Sequence, residues 1–209
     1  MQPLDYAVAN LSDSEDVARL LARVFSESEP PAVAMGLSCN EMSEFLQLVV
    51  PSVVPYGLTV VARSAETGRL AGVMLSDDFA SPPALDLDRI SPKLMPILTM
   101  LEVLDEQFRA GKTISAGQFL HLFMLGVDGE FGGGGVGQGL VQVSLRNAAG
   151  KGYRMALTEA TGKVSQHIFR KNGFSDRFSV AYQDFVYQGK AVFASIREHE
   201  RVILMDRAL

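Results

Sequence analysis

Val17, Leu20, Leu21, Val24 and Phe25 recur at i, i+3, i+4, i+7 and i+8, the apolar stripe of an amphipathic helix. Ser12 with Glu15 is a capping-box pair that predicts where this helix begins. Pro30 and Pro31 predict its end and leave Glu29 on a stiff, non-helical corner. A second capping box, Ser38 with Glu41, opens a helix whose inward residues are Met42, Phe45, Leu46, Val49 and Val50 and which Pro51 closes. Residues 58–62 and 69–74 predict two strands of a hairpin turning at Gly68, after a short first strand at 6–10. The polar, proline-containing stretch 76–92 reads as a surface connection or a lid. A helix is predicted over 93–109, with Leu94, Ile97, Leu98, Leu101, Leu104 and Phe108 inward and Glu102, Asp105 and Glu106 at least partly outward. Residues 118–127 form a strand that runs into a glycine-rich segment. The helical period then returns over 136–149, with Val136, Leu140, Val141, Leu145 and Ala148 on one face. A strand at 154–158, a helix at 163–171 stopped by Asn172 and Gly173, and strand-like runs at 178–187 and 201–207 complete the chain. The order is a mixed α/β (α+β) layout rather than a strict βα repeat.

Composition narrows the class. A chain of 209 residues, 47% hydrophobic and 21% charged, can bury one sizeable core, and a single domain over 1–209 is expected. No segment is both apolar and long enough to span a bilayer, and the first residues lack the basic and apolar regions of a signal peptide, so the expected place is the cytoplasm, without a membrane partner. A net charge of -5 argues against a nucleic-acid partner and is neutral or mildly favourable toward a cationic substrate. Cys39 is the sole cysteine, which excludes an internal disulfide, and the three histidines have no zinc-ligand spacing, so no metal is expected. Monomer and homodimer both remain open.

Candidate chemistry gathers at HLFMLGVDGEFGGGGVGQG, residues 121–139, where seven of the last eleven residues are glycine. Such a run carries a high conformational entropy for packing alone and points to a close backbone approach to a ligand. Free amides at the start of the following helix suit a phosphate. A Walker A loop is excluded, because Gln138, Gly139 and Leu140 stand where Lys and Ser or Thr are required. Gly132, Gly134 and Gly137 satisfy a dinucleotide fingerprint with Glu159 downstream, which keeps a nucleotide-dependent oxidoreductase as an alternative. The match is nearly automatic in so rich a run, and only about 70 residues follow for the βαβ units such a site needs.

A third reading is a resemblance. LHLFMLGVDGEFGGGGVGQGLV resembles the acetyl-CoA-binding motif of the GNAT N-acetyltransferase superfamily, with Gly135 and Gly137 at its two small positions, and SQHIFRKNGF at 165–174 is similar to its later short helix. EPPAVAMGLS at 29–38, TEATGKVSQHIFRKNGF and the closing strands resemble the arylalkylamine N-acyltransferase branch. The resemblance implies a central, mostly antiparallel twisted sheet with a splayed parallel strand pair, flanked by helices. It implies acyl transfer from acetyl-CoA as co-substrate to a small primary amine by direct attack in a ternary complex. It assigns the pantetheine arm to Met124, Leu125, Gly126 and Val127, and the pyrophosphate to Gly132, Gly133, Gly134, Gly135, Val136 and Gly137. Gly126 is compatible with a bulge. Glu29 matches a glutamate implicated as base through ordered water. Ser165 matches a serine near the thiol end of CoA, where serine in a first helical turn is also commonplace. His121 matches the first histidine of a His-Leu-His pattern whose second is here Phe123, with a satisfied strand histidine as the other reading. Phe169 stands where many members carry a tyrosine acid. Gly132, Gly133 and Gly134 replace residues that usually include a cation, which leaves a catalytically silent acyl-CoA-binding module as a further alternative. Cys39 has no evident base for a covalent route. Phe25, Met35, Phe45, Tyr182 and Phe185 could shape an amine pocket or belong to the core.

Overall fold

The computed structural model describes residues 3–84 and 86–209, so Leu85 of the predicted 76–92 excursion lies outside the described residues. The strands are β1 Leu4–Val8, β2 Val60–Ser64, β3 Leu70–Asp78, β4 Phe119–Val127, β5 Met155–Ala160, β6 Ser175–Ala181 and β7 Arg201–Ala208. They form one sheet in the order β1-β2-β3-β4-β5-β7-β6. All neighbours are antiparallel except β4 and β5, which run parallel. The helices are α1 Ser14–Ser28, α2 Pro30–Ala34, α3 Cys39–Val53, α4 Met95–Arg109, α5 Val136–Gly150 and α6 Lys163–Lys171. The mixed α/β layout and the mostly antiparallel sheet with a parallel pair are as expected from the sequence.

Two apolar layers sandwich the sheet. On one face Leu21, Leu46, Val49, Met100 and Leu104 of α1, α3 and α4 pack on Val73, Leu75 and Leu157. On the other, Leu140, Val141 and Ala148 of α5, with Phe169 of α6, pack on Met74, Leu120 and Met205. Every inward residue expected of α3 and α5 is buried. Val24, Phe25, Leu98 and Leu101 are only half-buried, because they border a cavity instead of the core.

Three local expectations are corrected. The first cap is Asn10 with Asp13, whose side chains exchange bonds with the Ser12 and Asn10 amides at 2.9 and 2.8 Å and open a 3₁₀ turn leading into α1. Glu29 sits on the expected non-helical corner after α1, and a short helix follows it. Glu29 is extended (φ -77°, ψ 122°) and N-caps α2, whose first position accepts proline because the missing amide would have no helical partner. Pro51 does not close α3, which runs to Val53. β3 extends past the predicted hairpin to Asp78, because the carboxylates of Asp77 and Asp78 find partners inside, on His121 and on the Gly117 amide and Tyr153 hydroxyl. Among the described residues, no helix is long and apolar enough to cross a membrane.

Candidate active site

β4 and β5 pair only over Phe119–His121 against Met155–Leu157 and then part. One side-chain link follows, the Thr158 hydroxyl donating to the Leu122 carbonyl at 2.8 Å. Beyond it, the β5-facing edge of β4 has no strand partner, so its backbone groups are available to an extended ligand. A bulge does occur in β4, but at Phe123, where Leu75 faces Met124 and Ser76 faces Leu122. Gly126 is paired regularly with Val73. A Cβ there would stand 2.7 Å from a methyl of Leu21, so α1 side chains would have to shift to admit one.

The glycine run forms a turn before α5. Gly133 and Gly135 have φ of +73° and +79°, a left-handed conformation that side-chain-bearing residues adopt only under strain. Among the described residues, the amides of 133–138 have no intramolecular acceptor; the Gly139 amide is the first to bond within the turn, to Gly135. Six consecutive free donors at a helix N-terminus are suited to an anion, and Arg69 borders the same hollow as Gly132, Gly134 and Val136. The arginines near it are engaged elsewhere: Arg23 holds Asp128 at 2.7 Å, and Arg69 holds Glu130 at 2.8 Å. Burial pushes the Asp128 carboxyl up, but the Glu130 amide and the Arg23 guanidinium outweigh it and keep it below its ordinary value.

The parting strands open into a cavity of about 360 Å³. Met124, Leu125 and Val127 of β4 and Ser165 and Ile168 of α6 line the cleft. Phe25, Met42, Phe45 and Leu101 of α1, α3 and α4 make an apolar wall deeper in. Glu29 stands on this lining, where its Oε2 accepts the Ala32 amide at 2.6 Å. Loss of solvent pushes its carboxyl up to about 7, against the smaller lowering from the Ala32 amide and the Thr161 hydroxyl. A carboxyl that changes protonation near neutrality and faces an apolar cavity has the properties of a general base.

Behind the cavity, His121 is locked between two carboxylates, Nδ1 to Asp77 at 2.9 Å and Nε2 to Glu159 at 2.8 Å. Burial alone would push its imidazole down; the two carboxylates outweigh burial and hold it well above its ordinary value. With both nitrogens carrying protons and both engaged, His121 has no lone pair to offer a substrate, and it does not line the cavity. This geometry fits the satisfied strand histidine of the two readings.

Ser165 lines the cleft, but its hydroxyl caps α6, donating to the Gly162 carbonyl at 2.9 Å and accepting the Gly162 amide at 3.3 Å. Phe169 is buried against Phe174 with ring centroids 5.1 Å apart. Of the pocket candidates, Phe25 and Phe45 line the cavity, whereas Met35, Tyr182 and Phe185 do not. The Tyr182 hydroxyl donates to the Thr161 carbonyl at 2.6 Å. Cys39 is exposed at the start of α3.

Sequence reasoning missed three features. His199 borders the cavity and accepts the Lys163 amide at 3.2 Å, and nothing in its local sequence signals this. Glu159, weighed only as a ribose ligand, is buried on His121 instead. Asp105, expected at least partly outward, is half-buried, and its carboxyl also meets Glu159. That signal was legible: Asp105 lies four positions after Leu101 and three before Phe108, on the apolar stripe itself.

No protein-family model matches the chain. Solved structures do match. The C-terminal condensation domain of Ebony in complex with beta-alanyl-dopamine superimposes with a TM-score of 0.92 at 19% identity, over 100% of both chains. Arylalkylamine N-acetyltransferase 2 from Aedes aegypti gives 0.80 at 22% identity over 98% of each chain. A polyamine N-acetyltransferase from Drosophila melanogaster gives 0.77 at 20% identity, over 99% of this chain and 100% of that one. The chain thus has the GNAT fold, and its structural neighbours include arylalkylamine and polyamine N-acetyltransferases. The doubly wound parallel sheet of a dinucleotide-binding oxidoreductase is not present among the described residues.

Proposed function

We propose that the chain is an N-acyltransferase that moves an acyl group, acetyl in the simplest case, from a CoA thioester to a small primary amine by direct attack in a ternary complex. The observation that carries this reading is the parting of β4 and β5 into a cavity whose lining includes Glu29. The amides of 133–138 fit a pyrophosphate, and the open edge of β4 beyond His121 fits the extended amide chain of pantetheine. Solved neighbours named as acting on arylalkylamines and polyamines agree with an amine acceptor.

The thioester supplies an electrophilic carbonyl. Ionised Glu29 accepts a proton from the ammonium, directly or through water, and frees the nitrogen lone pair. Backbone amides on the β4 edge stabilise the oxyanion as the C–N bond forms and the C–S bond breaks, with the electron pair leaving on sulfur and the remaining surplus proton of the nitrogen passing to that thiolate. Ser165 is assigned to the thiol end of the donor. Leu98, Leu101, Phe25 and Phe45 exclude water and hold the apolar part of the acceptor.

A silent acyl-CoA-binding module is the second reading, favoured by the pairing of Arg23 and Arg69 with carboxylates, which leaves the cradle uncharged. Thermal shift against acetyl-CoA, CoA and NAD(P), followed by thiol release over a panel of amines, separates the readings. Stabilisation by CoA species with thiol release is expected. Stabilisation without release on any amine favours the silent module, and stabilisation by NAD(P) alone refutes both.

A further inference from the structure

Two buried side-chain oxygens near the root of the cleft have no hydrogen-bond partner among the described residues, Glu159 Oε1 and Asp105 Oδ1. They belong to carboxyl groups that lie within hydrogen-bonding reach of each other. Glu159 borders the cavity but these two oxygens are themselves buried, and two bare carboxylates placed against each other there would repel. One proton between them satisfies both orphans at once. The other Glu159 oxygen is already bonded to His121, which is bonded in turn to Asp77.

The chain Asp77–His121–Glu159–Asp105 thus links β3, β4, β5 and α4. It crosses the sheet at a functional boundary, since His121 with Leu157 is the last paired position before β4 and β5 separate. We propose that Asp105 and Glu159 share one proton, and that this protonated pair, with His121 and Asp77, is the positioning device that fixes the opening between β4 and β5. In its consequence for the acyl donor this rests on the function proposed above; the shared proton itself does not.

The charged surroundings are consistent with one bound proton. From β3 comes Asp77, from β4 the His121 imidazolium, from β5 Glu159, and from α4 Asp105 with Arg109, whose guanidinium lies over the Phe79 ring. On β7 the nearest acid, Asp206, is taken by Arg177 of β6 at 2.6 Å. Lys112, just past α4, lies over the rings of Phe108 and Phe178. With Asp105 neutral, two carboxylates balance one imidazolium and one guanidinium. Burial, and then the Glu159 charge, push the Asp105 carboxyl up to about 8, so the pair holds its proton at neutral pH.

Difference infrared spectroscopy on the full chain tests the proton directly. The expected result is a protonated-carboxyl band at pH 7.5 that persists in Glu29→Gln, which removes the other carboxyl titrating near neutrality. The band should be lost in Asp105→Asn and in wild type above about pH 8. Absence of the band, or its survival in Asp105→Asn, overturns the shared proton whatever the enzyme does.

The positioning role is read from hydrogen exchange in residues 122–125 and 158–160 and from the KM for acetyl-CoA. In wild type, exchange corrected for the intrinsic base-catalysed rate should quicken and KM rise roughly two- to tenfold as pH passes 8, with kcat little changed. Asp105→Asn, whose amide can still donate to Glu159, should abolish both changes. Asp105→Leu, which cannot donate, should show fast exchange and high KM at pH 7. Corrected exchange in wild type that does not change with pH, or equal behaviour of the Asn and Leu variants, overturns the positioning role. A correct exchange pattern in a protein that acetyl-CoA does not stabilise would instead refute the function proposed above and leave the device standing.

Discussion

Replacing Glu29 by glutamine removes a proton acceptor while keeping the oxygen that caps α2, because a side-chain amide carbonyl can still accept the Ala32 amide now held at 2.6 Å. With its carboxyl raised to about 7, roughly one Glu29 in ten is ionised at pH 6 and nearly all at pH 8.5. The wild-type kcat should therefore climb about tenfold between these values and then level off. The variant should lose that limb and fall by about 10²- to 10⁴-fold at pH 8, the usual contribution of a positioned base. Stability should move the other way. A carboxyl raised from 4.5 to about 7 in the folded state favours folding fully below about 4.5, and this contribution is lost as pH rises toward 7. At about 1.4 kcal/mol per pH unit, glutamine should stabilise the protein by up to roughly 3 kcal/mol at pH 8 and by almost nothing at pH 4. Steady-state thiol release over pH 6–9 and urea unfolding at pH 4 and 8 read the two effects. Full turnover across the pH range would refute Glu29 as base, and unchanged stability at pH 8 would refute its desolvation.

Other outcomes follow from single positions. Gly135→Ala meets no neighbour within 4 Å but stands at φ +79°, so it should cost about 1–2 kcal/mol in urea unfolding and abolish much of the thermal shift given by CoA. Gly72→Ala would put a methyl 2.9 Å from the Gly126 carbonyl and 3.0 Å from Leu140; a loss of about 1–3 kcal/mol is expected, with an unchanged pH profile. The melting temperature of the wild type should fall between pH 5 and pH 8.5, because Asp105 as well as Glu29 is raised in the folded state and each loses its contribution as pH climbs to its folded value; calorimetry of Glu29→Gln with Asp105→Asn should flatten the slope. Cys39→Ser should leave turnover unchanged in the thiol-release assay, since direct attack needs no acyl-cysteine.

By itself the sequence determined whatever depends on local periodicity and on backbone freedom. The stripes of α3 and α5 read correctly because a helix repeats every 3.6 residues whatever it packs against. The left-handed glycines and the free amides before α5 could be expected because both are local properties of the chain. Where local signals compete they misled: Asn10 outcompeted Ser12 as cap, and Pro51 was tolerated inside α3 because the tertiary packing of that helix outweighs one lost bond.

Only the tertiary structure decided the partners of the polar side chains. His121 read as a catalytic candidate or a satisfied strand histidine, and Asp105 as an acid at least partly outward. Both are parts of one buried chain, because β3, β4, β5 and α4, distant in sequence, meet there. Likewise, Glu29 acquired a shifted carboxyl from an apolar wall built by three other helices. A pKa is set by the charges and solvent around a group, and those are assembled by long-range contacts that no local window contains.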